Sequence, residues 1–505
     1  MTFFPERSMA RLLNFAVTAV VTLIIAGCAA GPDFKRPEAP QVDRYLPEST
    51  NELSSVELTG VSAQQIVDDM DIPSQWWTLF HSTPLNELIG RAVKANPDLQ
   101  AAQSALRNAK ENMLAGQGAF FPSVDVNLQP TRQKITSGTD GTSIYDLHTA
   151  QVNVGYSPDV FGGVRRSVES LQAQADFQRF QLEATYLSLT TNVANAAVQE
   201  ASLRGQIATT RETIHIDTKL LEMLQLQHRL GQVAVADIAL QETALAQAQA
   251  TLPPLEKQLV QQRNMLSVLI GRFPSEELTA HFDLASLQLP QTLPLSLPSK
   301  LVEQRPDVRA AEELLHAANA QVGVAVANRL PNILLSASLG TTALELNQLF
   351  SSGTGFWVLA GNLAQPIFRG GTLQHQQRAA EAAYDQAAAQ YRSIVLSAFR
   401  EVADTLHAIQ ADTNAFTSAL AAENAAKRSL AIATRQLELG DISYTAVLLA
   451  QQSYLQTSLN RVQAQANRFA DTIALFQALG GGWWNRSDAV ANIIGPLRLE
   501  ANAFH

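Results

Sequence analysis

Apolar and small residues recur at three- and four-residue steps along two very long stretches of the chain, 164–230 and 372–439, with polar residues filling the intervals. Leu187, Val193, Ala197 and Leu203 mark the first stripe, and Ala383, Ala387, Tyr391, Val395 and Phe399 mark the second. That spacing gathers the apolar positions on one face of a helix and predicts helices packed side by side in coiled fashion. The second stretch contains neither Gly nor Pro and the first only Gly205, so little interrupts either helix. At a rise of ~1.5 Å per residue each reaches on the order of 100 Å.

Between the helical stretches the period drops to two. Val124, Val126 and Leu128 alternate with polar residues, and after a loop at Ser137-Gly138-Thr139-Asp140-Gly141 so do Val152, Val154 and Tyr156. Further along, Ile333, Leu335 and Ala337 precede a loop near Ser351-Ser352-Gly353, and Trp357, Leu359 and Leu363 follow it. These segments predict four strands of about ten residues, the length a tilted membrane strand needs. Phe120, Phe121, Tyr145, Tyr156, Phe356 and Trp357 fall near their ends, as an interfacial aromatic girdle requires.

The order of elements occurs twice. Asn96-Pro97-Asp98-Leu99 returns as Arg305-Pro306-Asp307-Val308, and the offset of roughly 209 positions holds for Leu106/Leu315, Ala109/Ala318 and Pro122/Pro331. Leu230-Gly231 matches Leu439-Gly440, and Ile270-Gly271 matches Leu479-Gly480. Each half therefore reads helix, strand pair, very long helix, turn, second helix. Pro253-Pro254 has no counterpart in the second half and predicts a bend or break there. Pro290, Pro294 and Pro298 mark 286–298 as a connector between the halves, with no role assigned beyond linking.

A membrane sheet cannot leave edge strands unpaired in hydrocarbon, and four strands are too few to close a barrel. Several chains must then share one. Two would give eight strands, a barrel filled by its own side chains; three would give twelve, which leaves room for a conduit.

Composition narrows the reading. The net charge of −10 and the lack of any Lys/Arg block argue against nucleic acid, and no helical run is apolar enough after the N-terminus to span a bilayer. The nine histidines are scattered, with no metal spacing, phosphate loop or nucleophile motif, so no catalytic site, metal or cofactor is expected. The N-terminus carries Arg7 and Arg11, a mainly apolar run over 12–25, and then Ile25-Ala26-Gly27-Cys28. This is the pattern of a secretory signal ending at a cysteine, the chain's only one.

Trp76-Trp77-Thr78-Leu79-Phe80, Tyr156-Ser157-Pro158-Asp159-Val160-Phe161-Gly162 and Ala478-Leu479-Gly480-Gly481-Gly482-Trp483 resemble the TolC-like outer-membrane factors, in their OprM/NodT lipoprotein branch. Gly31-Pro32-Asp33-Phe34, just after the cysteine, fits the same branch. The resemblance implies a mainly α fold with membrane β: a trimeric α-barrel of long coiled helices and a shared twelve-stranded transmembrane β-barrel, with an internal duplication. It implies a passive exit duct for drugs or other small toxic compounds, set in the outer membrane and reaching into the periplasm. The partners it implies are a periplasmic adaptor (membrane fusion protein) and an inner-membrane resistance-nodulation-division pump. Lipid on Cys28 is the anchor it implies, with Ala29 favouring outer-membrane sorting. The division expected is signal peptide 1–27, lipidated N-terminal segment 28–83, first repeat 84–272, connector 273–299, second repeat 300–482 and tail 483–505. An outer-membrane duct for type I protein secretion remains an alternative, and a periplasmic adaptor or coiled-coil scaffold a more distant one.

Adaptor docking is expected at the two turns, Leu230-Gly231-Gln232-Val233 and Leu439-Gly440-Asp441-Ile442, where glycine permits reversal and Val233 and Ile442 offer exposed apolar surface. Where the family often carries a gate aspartate, this chain reads Leu448-Leu449-Ala450-Gln451. Leu449 is therefore expected to form an apolar constriction, with Asp441 and Asp237 as candidate rim charges.

Overall fold

The computed structural model describes residues 30–47, 64–137, 141–276 and 278–486. Cys28, the signal segment and most of the C-terminal tail lie outside them. The elements follow the duplicated order: α1 Thr83–Ala95, α2 Pro97–Gln117, β2 Ser123–Ser137, β3 Gly141–Tyr156, α3 Gly163–Arg229 and α4 Val235–Leu269 in the first half. The second half has α5 Pro298–Gln304, α6 Pro306–Ala327, β5 Asn332–Ala343, β6 Gly355–Ala364, α7 Thr372–Leu439 and α8 Tyr444–Ala478. The long helices hold 67 and 68 residues, and each is followed by one of 35. Two short strands, β1 Gln65–Asp68 and β4 Thr292–Leu295, pair in parallel.

The chain divides into two compact units, with α3 and α7 running from one into the other. The first unit takes residues up to 37 together with 106–178 and 310–392. It holds one antiparallel sheet in the order β2-β3-β5-β6, which leaves one side of β2 and one side of β6 unpaired. Asp159, in the loop after β3, starts α3 by accepting the N–H groups of Val164 and Arg165, both at 2.9 Å.

The second unit takes 38–105, 179–309 and 393 onward. Its core includes Ile72, Trp76, Phe80, Leu85, Ile89 and Phe476, with the Trp76 ring stacked on Phe476 at 5.2 Å. Along α7 the buried positions Tyr391, Val395, Ala398, Val402, Leu406 and Ile409 keep the three- and four-residue step that predicted the helix.

The duplication survives in the helix junctions of this unit. Asn96 caps α2 by accepting the N–H groups of Asp98 and Leu99, and its Nδ2 donates to Leu269 O at 3.0 Å. At the equivalent place Arg305 donates to Ala478 O at 3.0 Å, with different chemistry on the same carbonyl position. Four helices end the same way: the glycine N–H and the next N–H turn back onto carbonyls three and five residues earlier, at Gly231, Gly271, Gly440 and Gly480.

Three expectations change. The strands run to 15, 16, 12 and 10 residues, because the β2–β3 ladder continues past membrane length to Ser137↔Gly141. Helix α4 continues unbroken through Pro253 and Pro254. Both prolines are exposed, as are Gln249 and Ala250, whose carbonyls lose their usual partners and face water instead. The connector is more than a linker, since its β4 supplies the partner of β1 and buries Leu293 and Leu295.

Candidate functional site

The sheet of the first unit has two chemically different faces. Residues directly opposite one another share a face, so the register sorts them. Val126, Val152, Leu339 and Trp357 form one row across all four strands, and Val124, Val154, Ala337 and Leu359 form the next on the same side. The opposite face carries Asp125, Asn153 and Ser338 in one row, which ends at Val358 of β6, and Asn127 and Gln151 in another, which ends at Gly340 and Phe356. Ser338 Oγ donates to Asn153 Oδ1 at 2.9 Å. Within a single chain the apolar rows are uncovered, with Val126 82% and Trp357 75% exposed. One face thus suits hydrocarbon and the other, polar across β2 and β3 with apolar residues at β6, suits water over most of its width, the division a transmembrane barrel shows between outside and lumen. Among the described residues no helix is long and apolar enough to cross a membrane.

The second unit brings the two helix turns together. Val233, from the first turn, packs with Ile238 and Leu437 against a buried cluster of Leu224, Tyr444 and Leu448. Ile442, from the second, packs with Leu430 and Leu437 against Leu220, Ala433, Val447 and Ala450. Both side chains are therefore half-buried rather than the exposed docking surface expected of them. The glycine reversal turns the next apolar residue back onto its own helices. The exposed apolar residues are the ones before each glycine, Leu230 and Leu439, with Val235 beside the first turn. Gly231 and Gly440 have φ of 76° and 79°, which only glycine adopts readily, and a Cβ on either would meet open space.

Of the candidate gate residues, Leu449 is 62% exposed in the single chain, between Leu448 and Ala450, which are buried. Asp441 is exposed. Asp237 is half-buried in the first turn of α4, where its Oδ2 accepts the Ala234 N–H at 3.3 Å. Its position is that of a helix cap, which holds the carboxylate against the positive end of the helix.

A polar link that the sequence did not disclose lies under these turns. The Tyr444 hydroxyl donates to Gln241 Oε1, and Gln241 Nε2 donates to Asp217 O at 2.7 Å, so α8, α4 and α3 are joined by one buried chain of hydrogen bonds. Burial pushes the Asp217 carboxyl above the usual carboxylate range, with Gln241 opposing it. Burial, assisted by the Asp217 and Asp237 charges, likewise pushes the Tyr444 hydroxyl up. Asp217 and Gln451 line a cavity of about 110 Å³ between the same three helices. The only sequence signal was a glutamine and an aspartate in otherwise mixed helical stretches, which reads equally as a solvated face.

The model of the family "outer membrane efflux protein" matches residues 88–272 and 297–481. The chain is 27% identical over 481 residues to the antibiotic efflux pump outer membrane protein ArpC of Pseudomonas putida, covering 94% of this chain and 96% of that protein. It is 28% identical over 487 residues to the pyoverdine export outer membrane protein OpmQ of Pseudomonas aeruginosa, covering 94% and 98%. Among solved structures, the outer-membrane channel OprN superposes with a TM-score of 0.81 at 25% identity, over 90% of this chain and all of that one.

Proposed function

Since this chain belongs to the outer membrane efflux protein family, whose members are channels and not enzymes, we propose that three copies of it form the exit duct of a tripartite efflux system. The chain is an outer-membrane protein that reaches into the periplasm, and it works with adaptor and pump partners. The observation that carries the finer reading is the open sheet. Its apolar rows demand lipid, and its two unpaired edges cannot sit there alone, so β2 of one copy pairs with β6 of the next until the ring closes. Twelve strands from three chains leave a lumen lined by the polar face.

In this reading acyl chains on Cys28 hold the N-terminus in the membrane, more than one chain being what makes such anchoring durable. The turns at Leu230-Gly231 and Leu439-Gly440 face a periplasmic adaptor, which docks on the exposed leucines, while Val233 and Ile442 brace the turns from behind. A resistance-nodulation-division pump supplies the energy. The named relatives export cargo as different as antibiotics and pyoverdine. That breadth fits a permissive duct, and the substrates proposed here are small toxic organic compounds selected upstream.

Deletion of the gene in its own host, with pump and adaptor intact, is expected to raise susceptibility to several unrelated hydrophobic toxicants, and restoring the full chain is expected to reverse it. Unchanged susceptibility across such a panel while the cognate pump is expressed contradicts the reading.

A further inference from the structure

The segment that follows the N-terminal cysteine is seated on the first unit by a dense set of contacts. Ala30 donates its N–H to Phe161 O at 2.9 Å, and Asn319 Nδ2 donates to Pro32 O at 3.0 Å. Arg166, almost fully buried, reaches the segment three times: Nε to Ala30 O at 3.1 Å, and Nη2 to Gly31 O at 3.4 Å and Asp33 Oδ1 at 2.6 Å. Arg36 pairs with Glu312 at 2.9 Å. The fit is built into the backbone at two glycines. A Cβ on Gly31, whose φ is 84°, would stand 2.6 Å from Gly323 Cα, and a Cβ on Gly323 would stand 2.9 Å from Ala30 O.

At the centre of this seat is His316. Its Nε2 lies 3.0 Å from Glu169 Oε1 and its Nδ1 3.4 Å from Glu313 Oε2. A neutral imidazole has one N–H and one lone pair, so it satisfies one carboxylate and opposes the other; only the imidazolium serves both. The ring also stacks on Phe34 of the segment, centroids 4.3 Å apart and planes at 17°, where a positive charge is held by the π face.

We propose that residues 30–36 form a clasp on the first unit, fastened by protonated His316 and opened when that proton is lost. The proposal goes beyond the efflux reading and does not require it. Charged groups facing the ring are Glu313 on its own helix and Glu169 on α3, the latter shared with Arg166 through Glu169 Oε2 at 2.7 Å. On the segment itself, Asp33 faces Arg166 and Arg36 faces Glu312. The hydrogen bond to Glu313, then that to Glu169, hold the imidazolium above its usual range against the opposing effect of burial. With Phe34 stacked on the ring, the charged form of His316 gains a π-face contact that the neutral form lacks, so docking of the segment and protonation of His316 favour each other. The clasp's contribution is present while His316 is protonated and disappears as pH climbs through the ring's raised value, on the alkaline side of free imidazole at ~6.5. Release frees seven residues, which at ~3.3–3.6 Å each add about 24 Å of slack between Cys28 and the body of the protein.

Hydroxyl-radical footprinting of the full-length, detergent-solubilised protein tests this, read by mass spectrometry at half-buried Phe34, with fully buried Phe282 of the second unit as internal control. Between pH 6 and pH 8.5 Phe34 oxidation is expected to rise several-fold while Phe282 stays constant, with the midpoint on the alkaline side of free imidazole. His316→Gln is expected to give high oxidation at both pH values, and Glu313→Gln to move the midpoint to lower pH. Wild-type oxidation that does not change with pH overturns the proposal, as does a pH step retained in His316→Gln. If His316→Gln fails to assemble, an unmoved midpoint in Glu313→Gln overturns it instead.

Discussion

Single glycines separate two kinds of turn in this protein. Gly271 and Gly480 end α4 and α8 with φ of 72° and 93°, and a Cβ on them would lie 2.4 Å from Ala95 O and 2.5 Å from Gln304 O. Gly231 and Gly440 have the same left-handed backbone but open space around them. Alanine at Gly231 or Gly440 is expected to cost about 1–2 kcal/mol, the usual penalty for an L-residue in that conformation. At Gly271 or Gly480 it costs more, because a backbone carbonyl must also move. Thermal unfolding of the four variants checks the order; equal losses at all four positions contradict it. Leu449 belongs to the same scale. Exposed between buried neighbours, it is expected to narrow the passage, so Leu449→Ala should speed entry of a bulky antibiotic through the duct in intact cells, and an unchanged rate sinks the constriction. These residues differed in how far the sequence disclosed them. The glycines were legible because each recurs at the same offset in both halves. His316 was not, because the residues that make it matter, Phe34, Glu169 and Glu313, come from three separate parts of the chain.

Elements were the most legible level, and the reason is periodicity. A stripe sustained over sixty-odd residues cannot arise from a strand or a loop, so α3 and α7 were visible from end to end. The strands were visible as alternation, but their partners were not, since a period of two states which residues share a face and not which strand lies alongside. Pro253-Pro254 misled because a proline ring on a solvated helix face removes hydrogen bonds that water replaces. Buried carboxylates were invisible for a related reason, as an aspartate on a helix reads as solvent-facing. Half-buried Asp471 of α8 escaped notice in the same way: desolvation, then the charge and hydrogen bond of Asp412 on α7, push its carboxyl up to about 7. A raised carboxylate value means the folded protein holds a proton that the unfolded chain releases near pH 3.9. Stability from this pair should therefore increase as pH falls from 8 toward 5, and Asp471→Asn should flatten that slope. Denaturant melts at several pH values measure it; an identical slope in the variant contradicts the assignment.

For the whole molecule, the family and the channel class follow from a match spanning both repeats, while the assembly follows from an argument about edges. Rows of apolar side chains cross four strands and stop at two open ladders, and neither lipid nor water suits that combination in a lone chain. Native mass spectrometry of the full-length protein extracted from outer membranes in mild detergent measures the consequence directly. A particle of three identical chains that persists on dilution is expected. A stable, folded single chain under the same conditions would contradict it.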